Sequence, residues 1–175
     1  MRLFIAIDVP DSVKEHLAFL QRSLDFEGLR LVPPKNVHLT LNFLGERDDP
    51  AAIIEKLKGV SFSQFSLRLS GAGFFPSRKD PRVLWVGLEE SEGLRALQRE
   101  IDLLFTPPKS FRPHLTLARF RRKCPSGEKA RIVEAAESLT VRPLSFRVSS
   151  FKLYKSTLTS VGPVYEVLHS FKADE

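Results

Sequence analysis

The chain has 175 residues, of which 42% are apolar and 27% charged, and this composition suits a globular domain with a hydrophobic core. Its single cysteine, Cys124, excludes an internal disulfide and a cysteine-rich zinc site, so we expect an inert thiol. The net charge of +6 favours an anionic partner such as a nucleic acid. Without a signal peptide pattern or an apolar run near the roughly 20 residues of a membrane span, we expect a cytoplasmic protein that makes no contact with a membrane, and we expect a monomer.

The first half of the chain alternates between strand and helix patterns. Residues 12–24 carry an apolar stripe spaced by three and four, which predicts a helix with His16 and Gln21 on its solvated surface. Pro50 opens a second helix with Ile53, Ile54 and Leu57 on its buried face. Apolar or alternating runs predict strands at residues 2–8, 29–32, 37–43 and 65–75.

The second half repeats this plan. Alternating runs predict strands at residues 82–88, 113–120, 144–154 and 164–171, and periodic stretches predict helices at 92–105 and 128–139. Corresponding positions are offset by about 76 to 80 residues, which indicates an internal duplication of a strand-helix-strand-helix-strand unit, at about 1–81 and 82–175. We therefore predict one α+β domain over residues 1–175, with a pseudo-twofold, bilobal fold, two antiparallel sheets flanked by helices and a central cleft.

One tetrapeptide, His-Leu-Thr-Leu, occurs twice, at residues 38–41 and 114–117. Each copy follows a Pro-Pro-Lys lead-in and sits in an alternating run typical of a strand. Side chains of a strand alternate between its faces, so His and Thr share one face, about 6.6 Å apart along the strand, and the leucines point to the core. Pseudo-twofold symmetry would then place both His/Thr pairs across one cleft.

Two imidazoles and two hydroxyls in one small volume favour acid and base catalysis. Neither histidine has a carboxylate at a fixed spacing or a third nitrogen or sulfur ligand nearby, so a metal or another cofactor is not expected. A neutral imidazole can take a proton from water while a protonated one gives a proton to a leaving oxygen, as in-line displacement at phosphorus requires. The threonine hydroxyls can hydrogen-bond the phosphate oxygens. The pattern predicts a metal-independent phosphodiesterase.

These motifs resemble those of the two-histidine phosphoesterase superfamily. The segments RLFIAID, HLTLNFLGE and FRPHLTLARF are similar to its LigT-like branch, the RNA 2',3'-cyclic phosphodiesterases once called 2'-5' RNA ligases. The resemblance implies opening of a terminal 2',3'-cyclic phosphate on RNA to a 2'-phosphate, with RNA ends or oligonucleotides as partners. It further implies that His38 is the proton donor to the 3'-oxygen, His114 the base that activates water, and Thr40 and Thr116 the residues that hold the phosphate.

The resemblance also makes Arg119 a candidate for substrate binding, but regular strand alternation places its side chain on the leucine face, away from the histidines. Other candidates have less support. The basic run at residues 119–123 could steer an RNA backbone. Two aromatic pairs, Phe74 with Phe75 and Phe151 with Tyr154, could stack on a base. We interpret His169 as structural.

Two alternatives to the cyclic phosphodiesterase stay open. A 2'-5' RNA ligase or 2'-5' phosphodiesterase could use the same acid and base. A non-catalytic RNA-binding or nucleotide-binding protein could keep the fold, although loss of a motif histidine would be its signature and both are present.

Overall fold

The computed structural model describes all of residues 1–175 and contains nine strands and four α-helices. The first half contains β1 (Arg2–Asp8), α1 (Asp11–Gln21), β2 (Leu29–Leu31), β3 (His38–Glu46), α2 (Pro50–Leu57) and β4 (Phe65–Pro76). The second half contains β5 (Pro81–Leu88), α3 (Glu92–Asp102), β6 (His114–Phe120), α4 (Ser126–Glu137), β7 (Ser145–Val148), β8 (Ser150–Thr159) and β9 (Gly162–Lys172).

Local sequence explains where the helices begin. The Asp49 carboxylate accepts a hydrogen bond from the Ala52 N–H at 3.0 Å. Pro50 follows in the first turn, where a backbone N–H would have no partner within the helix. The Ser91 hydroxyl accepts one from the Leu94 N–H at 3.1 Å and caps α3 in the same way. None of the helices has the length and apolar character needed to cross a bilayer.

The strands form two antiparallel sheets, which confirms the predicted α+β class. The strand order is β3-β1-β8-β9 in the first sheet and β2-β6-β5-β4-β7 in the second. Each His-Leu-Thr-Leu strand pairs with the first strand of its own half, β3 with β1 and β6 with β5. Those first strands then pair with a strand of the other half, β1 with β8 and β5 with β4. This exchange joins both halves of the chain in both sheets.

One hydrophobic core runs through the molecule. A single cluster of 35 buried residues takes side chains from both sheets and all four helices, so the molecule has no second, separate core of comparable size. The four leucines of the repeated tetrapeptide belong to this cluster and are at most 1% exposed, which confirms their predicted inward direction. These leucines anchor the two strands that carry the histidines.

The predicted surface positions of His16 and Gln21 are wrong. Both are buried, at 7% exposure each, because residues of the other half cover the flanks of the α1 stripe. The Nε2 atom of His16 accepts a hydrogen bond from the Arg142 N–H at 2.9 Å. The Gln21 amide bonds to two backbone carbonyls, described below, so the buried polar groups are paired as burial requires.

The single strand predicted at residues 144–154 is also wrong. The chain breaks at Ser149 into β7, which pairs with β4 in the second sheet, and β8, which pairs with β1 in the first. The alternation shifts by one residue at the two consecutive serines, Ser149 and Ser150, so the sequence marks the break. It does not show which sheet each piece joins. The Ser149 carbonyl accepts a hydrogen bond from the Ala173 N–H at 2.8 Å instead of from a neighbouring strand.

Candidate active site

The two motif histidines begin two strands that lie in different sheets. His38 is the first residue of β3 and His114 the first of β6, and the two strands contact each other where the sheets meet. Thr40 and Thr116 are half-buried, as are both histidines. The charge of His114 is among the causes that lower the pKa of His38, after burial. We call the cleft between the His/Thr faces of β3 and β6 the central cleft.

Both histidine rings are fixed by the same local hydrogen bond. Nδ1 of His38 lies 2.7 Å from the Asn36 carbonyl oxygen, and Nδ1 of His114 lies 2.7 Å from the Arg112 carbonyl oxygen. A carbonyl oxygen can only accept, so each Nδ1 carries the proton and donates it. Each Nε2 is therefore the atom left to accept or donate a proton toward a substrate.

Each motif strand contains a bulge at the same point. The pairing of β1 with β3 skips Leu41, and the pairing of β5 with β6 skips Leu117. Two consecutive residues then point to the core, Leu41 with Asn42 and Leu117 with Ala118. A bulge inserts one extra residue and reverses the alternation beyond it.

The bulge corrects the predicted direction of Arg119. Its side chain is exposed on the face of His114 and Thr116, whereas regular alternation placed it with the leucines. Its positive charge lowers the pKa of both His38 and His114, so the guanidinium acts on the central cleft. Phe43, at the matching point of β3, is likewise exposed.

Two buried glutamines hold the bulges. The Gln21 amide of α1 donates to the Leu117 carbonyl at 3.0 Å, and the Gln98 amide of α3 donates to the Leu41 carbonyl at 3.1 Å. Each helix thus pairs with the bulge of the other half of the chain. A bulge leaves a carbonyl out of the strand ladder, and a buried carbonyl needs a partner. The Gln98 amide supplies it at Leu41, and the Gln21 amide is a second donor at Leu117, whose carbonyl also accepts from the Val32 N–H at 2.8 Å.

His38 sits among aromatic rings. Its centroid lies 4.9 Å from that of Phe4, 5.2 Å from Tyr165 and 6.2 Å from Tyr154. Burial in this setting lowers the pKa of His38 to about 4, although the Asn36 carbonyl and the negative charge of Asp8 oppose the change. The free protein therefore holds His38 neutral at pH 7.

Asp8 is a site residue that sequence reasoning did not identify. It lies opposite His38 in the pairing of β1 with β3 and forms ion pairs with Lys14 at 3.0 Å and Lys152 at 3.2 Å. Burial alone would raise the pKa of Asp8, but the two lysines hold it below its usual range. No local pattern could have identified it, because the end of β1 meets the start of β3 only through the pairing of strands that α1 and β2 separate in the chain.

A pocket of about 270 Å³ opens beside His38. Its polar lining comes from Asp8, Lys14, Lys35 and Asn36, and its remaining walls come from the β8–β9 hairpin. These walls are formed by Tyr154, Pro163, Val164, Tyr165 and Val167.

His114 has a different setting. Phe75 meets its ring edge-on at 4.8 Å and Trp85 lies 6.4 Å away, centroid to centroid. Burial lowers the pKa of His114; the Arg112 carbonyl opposes this, and the charges of Arg119 and Arg112 add to it. No carboxylate is among these causes. A second pocket, of about 300 Å³, lies next to this ring, lined among others by Phe75, Trp85 and Arg112.

The structure separates the aromatic candidates. Phe151 is fully buried in the core and cannot stack on a base, whereas Phe74 is half-buried and packs against the core beside Phe120. Tyr154 lines the pocket beside His38, and Phe75 lines the pocket next to His114; each ring packs against the histidine named with it. His169 packs beside Phe171, at 4.7 Å between centroids, away from the motif histidines.

The structure also places the cysteine and the basic run. Cys124 is buried, and burial raises the pKa of its thiol, so it is protonated at neutral pH. In the basic run, Arg121 donates to the Glu27 carbonyl at 2.9 Å, while Arg122 and Lys123 are exposed. The structure contains no group of three or more His, Cys, Asp or Glu side chains placed to hold a metal ion.

Comparison with known proteins finds relatives over the whole chain. The model of the LigT like Phosphoesterase family matches twice, at residues 7–85 and 86–165. The RNA 2',3'-cyclic phosphodiesterase of Archaeoglobus fulgidus is 38% identical, covering 98% of this chain and 100% of the relative. That of Methanocaldococcus jannaschii is 36% identical, covering 96% and 98% respectively.

Solved structures have the same fold. A protein of Thermus thermophilus superposes with a TM-score of 0.80 at 33% identity, covering 98% of this chain and 97% of that one. The LigT protein of E. coli, complexed with 3'-AMP, gives a TM-score of 0.77 at 28% identity and covers 99% and 98%. The fold, the doubled motif and the sequence identity agree: this chain belongs to the LigT-like phosphoesterase family.

Proposed function

We propose that this protein hydrolyses the terminal 2',3'-cyclic phosphate of RNA to a 2'-phosphate, with His38 and His114 as acid and base. The observation that supports this most directly is the pair of histidines on two contacting strands, each with Nδ1 bonded to a carbonyl and Nε2 left for proton transfer. The curated relatives described above are named RNA 2',3'-cyclic phosphodiesterases. The substrate class is therefore RNA ends or oligonucleotides with a cyclic phosphate.

The reaction balances with these groups alone. Nε2 of His114 takes a proton from water as the water oxygen forms a bond to phosphorus, and the bond from phosphorus to the 3'-oxygen breaks. Nε2 of His38 gives a proton to that departing oxygen, which leaves a 3'-hydroxyl and a 2'-phosphate. Thr40 and Thr116 hold the non-bridging oxygens, where negative charge increases, and Arg119 is a candidate for a further substrate contact.

Burial lowers the pKa of both rings, to about 4 for His38, so the feature that distinguishes the proposed acid from the proposed base is the charge of their neighbours. An acid must be protonated when the substrate binds, and Asp8 is the carboxylate that favours the protonated form of His38. A base must be neutral, and Arg119 and Arg112 favour the neutral form of His114. A bound phosphate adds negative charge to the cleft and would raise the pKa of both rings, against the effect of burial.

The direct test is incubation with an RNA oligonucleotide that ends in a 2',3'-cyclic phosphate, in EDTA, followed by identification of the product isomer. We expect a 2'-phosphate from the wild type, loss of activity in both His38→Ala and His114→Ala, and about tenfold to hundredfold slower turnover in Thr40→Val and Thr116→Val. An untouched cyclic end, a 3'-phosphate product or sensitivity to EDTA would contradict the proposal.

A 2'-5' RNA ligase or 2'-5' phosphodiesterase activity is the second candidate. The observation that favours it is the pocket of about 300 Å³ beside His114, on the side of the proposed base, which has room for more than a water molecule. In ligation a 5'-hydroxyl would replace water as the attacking group. The same incubation with an added 5'-hydroxyl oligonucleotide separates the two outcomes by product length. A cytoplasmic location and a monomeric state stay predictions from the sequence.

A further inference from the structure

Two arginines face each other on neighbouring strands next to the motif. Arg30 of β2 lies directly opposite Arg119 of β6 in their antiparallel pairing. Their neighbours Leu29 and Ala118 are buried, so both arginine side chains point to the other, exposed face. Like charges directly opposite each other destabilise a sheet. Such a pair therefore needs an explanation.

No carboxylate neutralises this pair. The ion pairs of the structure include neither Arg30 nor Arg119. The two guanidinium groups are therefore positive charges without an anionic partner, on a face that the bulge at Leu117 turns toward the histidines.

The position of the pair links it to the central cleft. Arg119 lies two strand steps beyond Thr116, about 6.6 Å along β6, and its charge lowers the pKa of both motif histidines. Arg30 is one strand farther out and reaches across to the β8–β9 hairpin. Nη2 of Arg30 lies 2.8 Å from the position that a Cβ would take at Gly162, so the guanidinium lies against the turn between β8 and β9.

We infer that Arg30 and Arg119 together form a second anion site, which binds the internucleotide phosphate next to the terminal cyclic phosphate. Guanidinium groups bind phosphate oxygens in paired hydrogen bonds, and an anion between the two arginines would remove their mutual repulsion. This inference rests on the proposed function. It specifies the substrate class further, as RNA of two or more nucleotides in preference to a cyclic mononucleotide.

The test compares three substrates: a nucleoside 2',3'-cyclic monophosphate, a dinucleotide with a 2',3'-cyclic end, and the same dinucleotide with an uncharged methylphosphonate linkage. We expect wild-type kcat/KM to be about tenfold higher for the charged dinucleotide than for the methylphosphonate. In Arg30→Gln this preference should fall toward one, while turnover of the mononucleotide stays unchanged. Arg47→Gln is the matched control, because Arg47 follows the end of β3 that is distant from His38.

Salt dependence gives a second measure. Loss of one phosphate contact on a single strand should reduce the slope of log affinity against log salt by about 0.7 in Arg30→Gln and leave it unchanged in Arg47→Gln. An Arg30→Gln variant that slows all three substrates equally, or that keeps the full preference, would overturn the inference.

A binding measurement tests the anion site separately from the proposed hydrolysis. If the wild type opens no cyclic end, calorimetry with the charged and methylphosphonate dinucleotides still measures the anion site. A tenfold difference in Kd that disappears in Arg30→Gln supports the site in the absence of turnover. Equal Kd values for the two linkages in the wild type overturn it, even if the cyclic ends are hydrolysed.

Discussion

The two halves of the candidate site share a backbone frame and differ in the side chains around it. In both, a histidine begins a strand, its Nδ1 donates to the carbonyl two residues earlier at 2.7 Å, and a bulge follows the threonine. In both, a buried glutamine from the other half holds that bulge. The frame places two equivalent imidazoles and says nothing about which one is the acid.

The neighbouring strands supply the difference. Asp8 lies opposite His38, and Gly87 lies opposite His114 at the matching position. Ala6 lies opposite Thr40, and Trp85 lies opposite Thr116. One ring thus has a carboxylate partner and the other has none, which teaches that a repeated motif can serve two roles once the strands beside it diverge.

The largest expected effect comes from removing one imidazole at a time. His38→Ala and His114→Ala should each lower kcat/KM about 10²-fold to 10⁴-fold. A 4-nitrophenyl phosphodiester has a leaving group that needs no proton, so it should restore activity to His38→Ala and not to His114→Ala. Rescue of His114→Ala instead would reverse the two roles. The decrease in kcat/KM of the double variant should be smaller than the product of the decreases in the two single variants.

Acid should destabilise the fold through His38 more than through His114. The pKa of His38 is about 4 in the folded protein and about 6.5 in the unfolded chain, so the unfolded chain binds the proton more strongly. The free energy of unfolding should therefore fall as pH drops from about 6.5 to 4, by about 3 kcal/mol in total from this group. Urea midpoints at pH 7 and pH 4.5 measure it.

Matched asparagine variants separate the two rings in that experiment. Burial lowers the pKa of His114 in the same direction, but His114 has the more open position. In His38→Asn, most of the decrease in the free energy of unfolding between pH 7 and 4.5 should be absent. In His114→Asn, a smaller part of that decrease should be absent. An equal change in the two variants would mean that the aromatic surroundings of His38 do not lower its pKa more than that of His114.

The buried glutamines should matter to both stability and the direction of the residues after the bulge. Gln21→Leu leaves the Val32 carbonyl without its side-chain donor and the Leu117 carbonyl with the Val32 N–H alone, and should lower the free energy of unfolding by about 1–3 kcal/mol. It should also weaken binding of charged dinucleotides, because Arg119 follows that bulge. Gln98→Leu is the matched control: similar destabilisation without the binding loss is expected, since Phe43 and not arginine follows the other bulge.

The smallest effect tests the carboxylate that distinguishes the halves. Asp8→Asn removes a charge that raises the pKa of His38 and leaves Lys14 and Lys152 beside it, so that pKa should fall. If His38 is the acid, less of it is protonated, and kcat/KM at pH 7 to 8 should drop several-fold. If His38 were the base, already neutral there, the rate would not change. Asp25→Asn, at an exposed aspartate, is the control.

Much of the fold could be predicted from the sequence because its signals are local. An apolar run predicted β1 with its observed bounds, and alternation predicted β3 and β6 to within three residues. The spacing of apolar residues by three and four predicted the buried stripe of α1. The doubled tetrapeptide located both candidate catalytic histidines, since strand alternation fixes which side chains share a face.

Only the tertiary structure decided how these pieces meet. Which sheet each of β7 and β8 joins depends on strand pairing between distant segments, which local alternation does not encode. The direction of Arg119 depends on a bulge held by Gln21, a residue 98 positions earlier in the chain. Asp8 and Gly87 lie beside the two histidines only because their strands pair with the motif strands. The sequence by itself determined two equivalent histidines, and long-range pairing gave each one different neighbours.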